Sequence, residues 1–192
     1  MPNGLTFFSS LLLLFASQSK AACPVNAWVP STNSQRTYVG EYKNLSYGYS
    51  VVIPHGLTGV DMDNPAYQRG FTIILRDPSR TISVSAETNS LEYNDSKAAA
   101  VAELYLFKQQ GLQVAHEHTG PTELAGHAAA NLSFRFACSG AEAEYLHIEI
   151  LALSPDGQYV YTISWDGPSN MERLDQRLIA ALRRSWRMFP AK

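Results

Sequence analysis

Three long alternating runs, separated by turn sequences too short to hold a helix, restrict the fold more than any other feature of this chain. From His127 to Cys138, Leu132, Phe134, Phe136 and Cys138 alternate with Asn131, Ser133 and Arg135. Glu142 to Leu153 places Leu146, Ile148 and Ile150 on one face, and Gln158 to Trp165 aligns Tyr159, Tyr161, Ile163 and Trp165. A period of two sends successive side chains to opposite faces of a strand. Ser139-Gly140 and Pro155-Asp156-Gly157 are tight-turn sequences, so each run must fold back beside the one before it. The result is an antiparallel meander, which excludes an all-helical chain and a strictly alternating parallel sheet.

Upstream, Tyr47, Tyr49, Val51 and Ile53 share one face of a strand over 47–53 that Pro54 stops, with 37–43 as its expected partner. Phe71–Leu75 and Thr81–Glu87 flank Asp77-Pro78-Ser79 and read as a hairpin. The period then changes. Asp95 or Ser96 can cap a helix over 96–110, carried by Ala100, Val101, Leu104 and Phe107, and Gly111 stands where a helix stops. Leu112–His118 is expected to be a strand broken by Gly120-Pro121. A last helix opens with Ser169 and Glu172 at capping-box spacing, and its apolar stripe is Met171, Leu174, Leu178, Leu182 and Trp186. Strands in runs with two helices predict an α+β domain, an antiparallel β-sheet packed by helices.

The 192 residues, 45% apolar and 17% charged, suit one globular domain over 37–192 preceded by a lead segment, 22–36. A net charge of −2 gives nucleic acid no electrostatic attraction.

Leu5–Ala16 is almost wholly apolar but well short of the roughly 20 residues that a membrane span needs. Ser19 and Ala21 sit at the −3 and −1 positions of a signal-peptidase site, so 1–21 reads as a signal peptide and the chain as periplasmic, with no span in the mature part. Cleavage after Ala22, and lipidation of Cys23, are the alternatives. An oxidising compartment favours a Cys23–Cys138 disulfide, which would close a loop worth about 4–5 kcal/mol in the chain-entropy picture.

Tyr42-Lys43-Asn44 leading into Tyr47–Pro54, the segment Leu124-Ala125-Gly126-His127-Ala128-Ala129, the aromatic strand 158–165 and the helix ending Arg184-Ser185-Trp186 occur in the order found in the PsbP-like superfamily. Over about 150 residues the chain resembles these secreted or lumenal proteins. The resemblance implies an α/β/α sandwich and a non-catalytic module that binds proteins, ions or other ligands at membranes and envelopes. It brings no catalytic residue and no cofactor.

Direct inspection agrees with a non-enzyme: the chain contains no Gly-x-Ser-x-Gly, His-Glu-x-x-His, Gly-x-x-x-x-Gly-Lys or Gly-x-Gly-x-x-Gly. The candidate metal ligands are His116 and His118, two apart on one strand face, with His127 or His147 to complete them. A solvated strand end explains the same pair. Asp61-Met62-Asp63-Asn64 resembles part of a calcium loop but lacks its glycine and closing glutamate. The irregular segment 54–70, with Asp61, Asp63, Tyr67 and Arg69, is the candidate partner-binding loop, or else a plain connection. Tyr145, His147 and Glu149 form a second candidate surface unless a helix covers them. Arg173, Arg177, Arg183, Arg184 and Arg187 suit either a solvated helix end or an acidic partner. The expected function is binding of a protein partner in the envelope, in its most specific form immunity against an exported cell-wall toxin. The alternative is a module for a small ligand or metal ion.

Overall fold

The computed structural model describes residues 36–61, 69–137 and 144–192; the expected leader, Cys23, Asp63, Tyr67 and Cys138 lie outside them. In chain order the strands are β1 (Thr37–Tyr38), β2 (Glu41–Asn44), β3 (Tyr49–Val52), β4 (Gly59–Asp61), β5 (Gly70–Ile73) and β6 (Thr81–Thr88). Helix α1 (Ser96–Gln109) precedes β7 (Val114–Leu124), β8 (His127–Ala137), β9 (Glu144–Leu153) and β10 (Tyr159–Pro168). A 3₁₀ turn (Ser169–Met171), helix α2 (Glu172–Ser185) and β11 (Arg187–Met188) complete the described chain.

The meander β8-β9-β10 belongs to an eight-stranded antiparallel sheet in the order β1-β4-β5-β6-β10-β9-β8-β7. Its register sets Ile163 between Val84 and Ile150, and Trp165 between Ile82 and Ile148. Because side chains alternate, neighbours on one strand enter different cores. Ile150 and Ala152 join Trp165 and Tyr161 on one face, whereas Leu151 joins Leu132, Phe134 and Val160 on the other. Helix α1 covers the second face through Ala99 and Ala100. The first face is covered by α2 and by a separate three-stranded sheet, β11-β3-β2, whose Tyr42, Tyr49 and Val51 enter the same core as Leu182 and Trp186. This is the expected α/β/α layering, with a small sheet sharing one outer layer.

Helix α1 starts where the sequence predicts it. Asp95 is the cap, its carboxylate accepting from the Ala98 amide at 2.7 Å, and Gly111 follows with φ of 85°. Val101 differs from expectation: it faces solvent, and the inner positions belong to Ala99, Ala100 and Phe107.

Three other expectations are corrected. Strand β7 runs straight through Gly120-Pro121, with Pro121 opposite Ala130; it is an edge strand, so a residue without an N–H breaks no ladder there. The 54–70 segment is not irregular throughout: β4 lies inside it and pairs with β1 and β5, a strand too short for alternation to reveal. The capping box at Ser169 does not form, since Ser169–Met171 is a 3₁₀ turn and the α2 cap position, Met171, makes no side-chain bond.

The inner face of α2 is also displaced by one residue. Asp175, not Leu174, points inward, where Trp165 and Arg80 hold its carboxylate. Leu174 is left 63% exposed.

Candidate functional site

The structure separates the sequence-derived candidates. His116 and His118 are both exposed and lie at a β-bulge between Ala115 and His118, with His116 at φ of 53°. The regular two-residue alternation that would align them is therefore interrupted. Among the described residues no group of three or more His, Cys, Asp or Glu side chains is placed to hold a metal ion. Asp61 is 3% exposed and serves the interior: its carboxylate accepts from the Tyr38 hydroxyl and the Arg36 amide, which ties β1 to β4. Arg69 faces Glu87 at 3.9 Å, and its carbonyl accepts from the Tyr49 hydroxyl.

The strand face of Tyr145, His147 and Glu149 is covered by α1 rather than exposed. His147 is 3% exposed, with its ring between Phe107 and Phe134, each 4.8 Å from it centre to centre. Nδ1 lies 2.8 Å from Asp166 and Nε2 lies 3.6 Å from Glu149. Burial opposes protonation of this imidazole, but the charge and hydrogen bond of Asp166 and the nearby carboxylate of Glu149 outweigh it and raise the pKa to about 10. Glu103, on the α1 face above, is pushed up to about 7, first by burial and then by Glu149 and Glu87, with His147 opposing.

A general base must be unprotonated and within reach of the proton it takes. His147 is protonated at neutral pH, both its nitrogens face carboxylates, and aromatic rings close it from solvent. The arrangement can pin β9 to β10 beneath the Phe107 ring of α1; it cannot accept a proton from a substrate. The partnership with Asp166 was absent from the sequence reading because Asp166 falls one residue past the predicted strand. Counting register outward from the Pro155-Asp156-Gly157 turn would have placed the two opposite each other.

A second locus is open to solvent. A groove of about 690 Å³ separates the β7–β8 hairpin tip from the end of α2. Ala125 and Gly126 form the two-residue tip with φ of 54° and 77°, the left-handed pair that fits the twist of a tight hairpin. Glu123 and His127 line the groove on this side, and Arg183, Arg184, Trp186 and Arg187 on the other. Arg183 crosses to the hairpin, donating to Thr122 Oγ1 at 2.8 Å and to the Glu123 carbonyl at 2.9 Å. Trp186 stacks on Tyr49 at 4.8 Å between centroids, so the groove floor is part of the core.

No family model and no curated protein matches this sequence. Its fold does have solved counterparts. The solution structure of cyanobacterial PsbP (CyanoP) from Synechocystis is similar with a TM-score of 0.57 at 13% identity, covering 81% of this chain and 93% of that one. A crystal structure of LpqN, involved in cell envelope biogenesis of Mycobacterium tuberculosis, gives 0.50 at 13% identity, covering 82% and 93%. A protein from Bacteroides thetaiotaomicron gives 0.52 at 11% identity, covering 79% of this chain and 49% of that one. At such identities the likeness is one of fold, and the fold is the PsbP-like one that the sequence resembles.

Proposed function

We propose that this chain is an exported, non-catalytic protein of the cell envelope that works by binding a protein partner. The observation that carries the reading is the sealed His147 cluster: this described acid–base array of catalytic appearance joins β9 to β10 and is roofed by Phe107 of α1. The accessible features, an arginine-lined groove and an exposed apolar row on α1 at Val101 and Tyr105, suit contact with a macromolecule. The signal-like segment 1–21 supports export, and no described helix is long and apolar enough to cross a membrane.

Neutralisation of a cell-wall-directed toxin is the specific form of this reading, and a Cys23–Cys138 bridge belongs with it. The residues around Arg69, with Asp63 and Tyr67, are a proposed second contact, while Asp61 contributes only as an internal anchor. Affinity capture from periplasmic extract with neighbouring gene products coexpressed tests the proposal. A stoichiometric, salt-sensitive partner is expected, and a cell-wall hydrolase as that partner would establish the immunity form. Failure to recover any stoichiometric protein sinks the reading.

A small-ligand reading has one observation in its favour. His116 borders a polar cleft of about 530 Å³ with Asn131, Ser133, Arg135 and Glu172. Titration of divalent ions and small anions against the chain and its His116→Ala variant separates the two functions.

A further inference from the structure

Resting on the reading of the chain as a protein-binding module, we propose that the groove at the end of α2 takes an extended, acidic peptide segment of the partner. The first support is charge. From Gln176 to Lys192 there is no Asp or Glu, and the groove lining sets Arg183, Arg184 and Arg187 against one acid, Glu123, although the whole chain carries −2. A cationic field on an acidic chain favours an anionic partner and its rapid encounter.

The second support is how the guanidinium groups are held. Arg183 is fixed to the hairpin, and Arg187 donates to the carbonyls of Arg184 and Trp186 at 3.1 and 2.8 Å, which closes the helix end. Arg184, in the last turn of α2, also meets the helix dipole favourably, and its exposed guanidinium is left open to solvent among the described residues. Arginine carries five N–H donors, so the two anchored side chains keep donors to spare at little further entropic cost. Trp186 lines the groove, is fully buried, and its indole N–H has no hydrogen-bond partner.

The third support is the backbone. β11 is an edge strand of the three-stranded sheet, and both its residues, Arg187 and Met188, line the groove. An extended chain beside it could use the free edge while its carboxylates meet the arginines. A lone phosphate fits less well: among the described groove residues Arg183 and Arg187 are each held by protein oxygens, so a single anion would rest mainly on Arg184, whereas a run of carboxylates can use the spare donors of all three. A membrane surface fits less well too, because the exposed apolar residue of α2, Leu174, stands near the other end of the helix.

The test is fluorescence anisotropy of the full chain with labelled oligo-L-glutamate, alongside inorganic phosphate and phosphatidylglycerol vesicles. Saturable peptide binding is expected, weakened roughly tenfold by Arg184→Glu and less than about threefold by Arg173→Glu, an equal charge change about 16 Å away along the helix. The Trp186 indole N–H resonance should shift on binding. Equal losses from both variants, preference for vesicles or phosphate, or no peptide binding overturns the groove assignment. A captured partner insensitive to Arg184→Glu also overturns it while leaving the binding-module reading standing; absence of any partner removes that reading itself.

Discussion

The carboxylate of Asp175 accepts the indole N–H of Trp165 at 2.8 Å and Arg80 Nη1 at 2.8 Å, so one buried anion joins the first turn of α2, the centre of β10 and the β5–β6 turn. Removing one member of such a buried set strands the others. Asp175→Ala should therefore destabilise the protein by about 3–5 kcal/mol, read as a lower urea midpoint. Trp165→Phe keeps the bulk and loses only the donor, and should cost about 1–2 kcal/mol. A loss below 1 kcal/mol for Asp175→Ala would show that the ion pair is not what seats α2.

His147 gives stability a pH dependence of known sign. Its folded pKa is raised to about 10, above the unfolded value near 6.5, so its contribution is complete below the lower value and disappears as pH rises through the upper one. Urea unfolding of the chain and of His147→Gln from pH 6 to 10 should show the wild type losing a few kcal/mol relative to the variant. Parallel curves would contradict the link that His147 makes to Asp166 and Glu149.

Glu103 works in a lower window. Its pKa is raised to about 7, first by burial, so ionising it costs stability as pH climbs from the ordinary carboxylate range through that value. Glu103→Gln should stabilise the protein at pH 8 by about 1 kcal/mol, after allowance for solvent screening at this half-buried position, and should leave stability at pH 4 nearly unchanged.

Gly48 sits at φ of 67°, and a Cβ there would lie 2.2 Å from the Phe189 carbonyl oxygen. Gly48→Ala must both strain the backbone and push away the C-terminal segment, whose Phe189 amide donates to the Gly48 carbonyl at 2.8 Å. A loss of about 2 kcal/mol is expected, or a Tm lower by roughly 4–8 °C, with Phe189 resonances moving most.

The layers of this fold were legible because its long strands alternate cleanly and its turns are short. Leu151 and Ile150 could be assigned to opposite cores from periodicity alone. What the pattern hid were polar residues doing inward work: Asp175 displaced Leu174 from the expected stripe because three-centre hydrogen bonding substitutes for burial of an apolar chain. For His147 and Glu149 the sequence leaves surface and helix-covered core both open, because nothing in a single strand tells which face a distant helix will cover. The bulge at His116 was likewise invisible, since it depends on pairing with β8 rather than on local sequence. The groove was half legible: the arginines could be counted, but not the hairpin that faces them.

The small sheet also joins distant parts of the chain. β3 is paired on one side by β11, the Val52 amide donates to Ser185 Oγ at 3.0 Å, and the Lys192 amide donates to the Leu45 carbonyl, so the earliest described strands are secured by residues 185–192. The β2–β3 corner is therefore bonded across a sequence separation of 133 residues, and a change near Ser185 or Arg187 should be felt first at Val52 and Ser50.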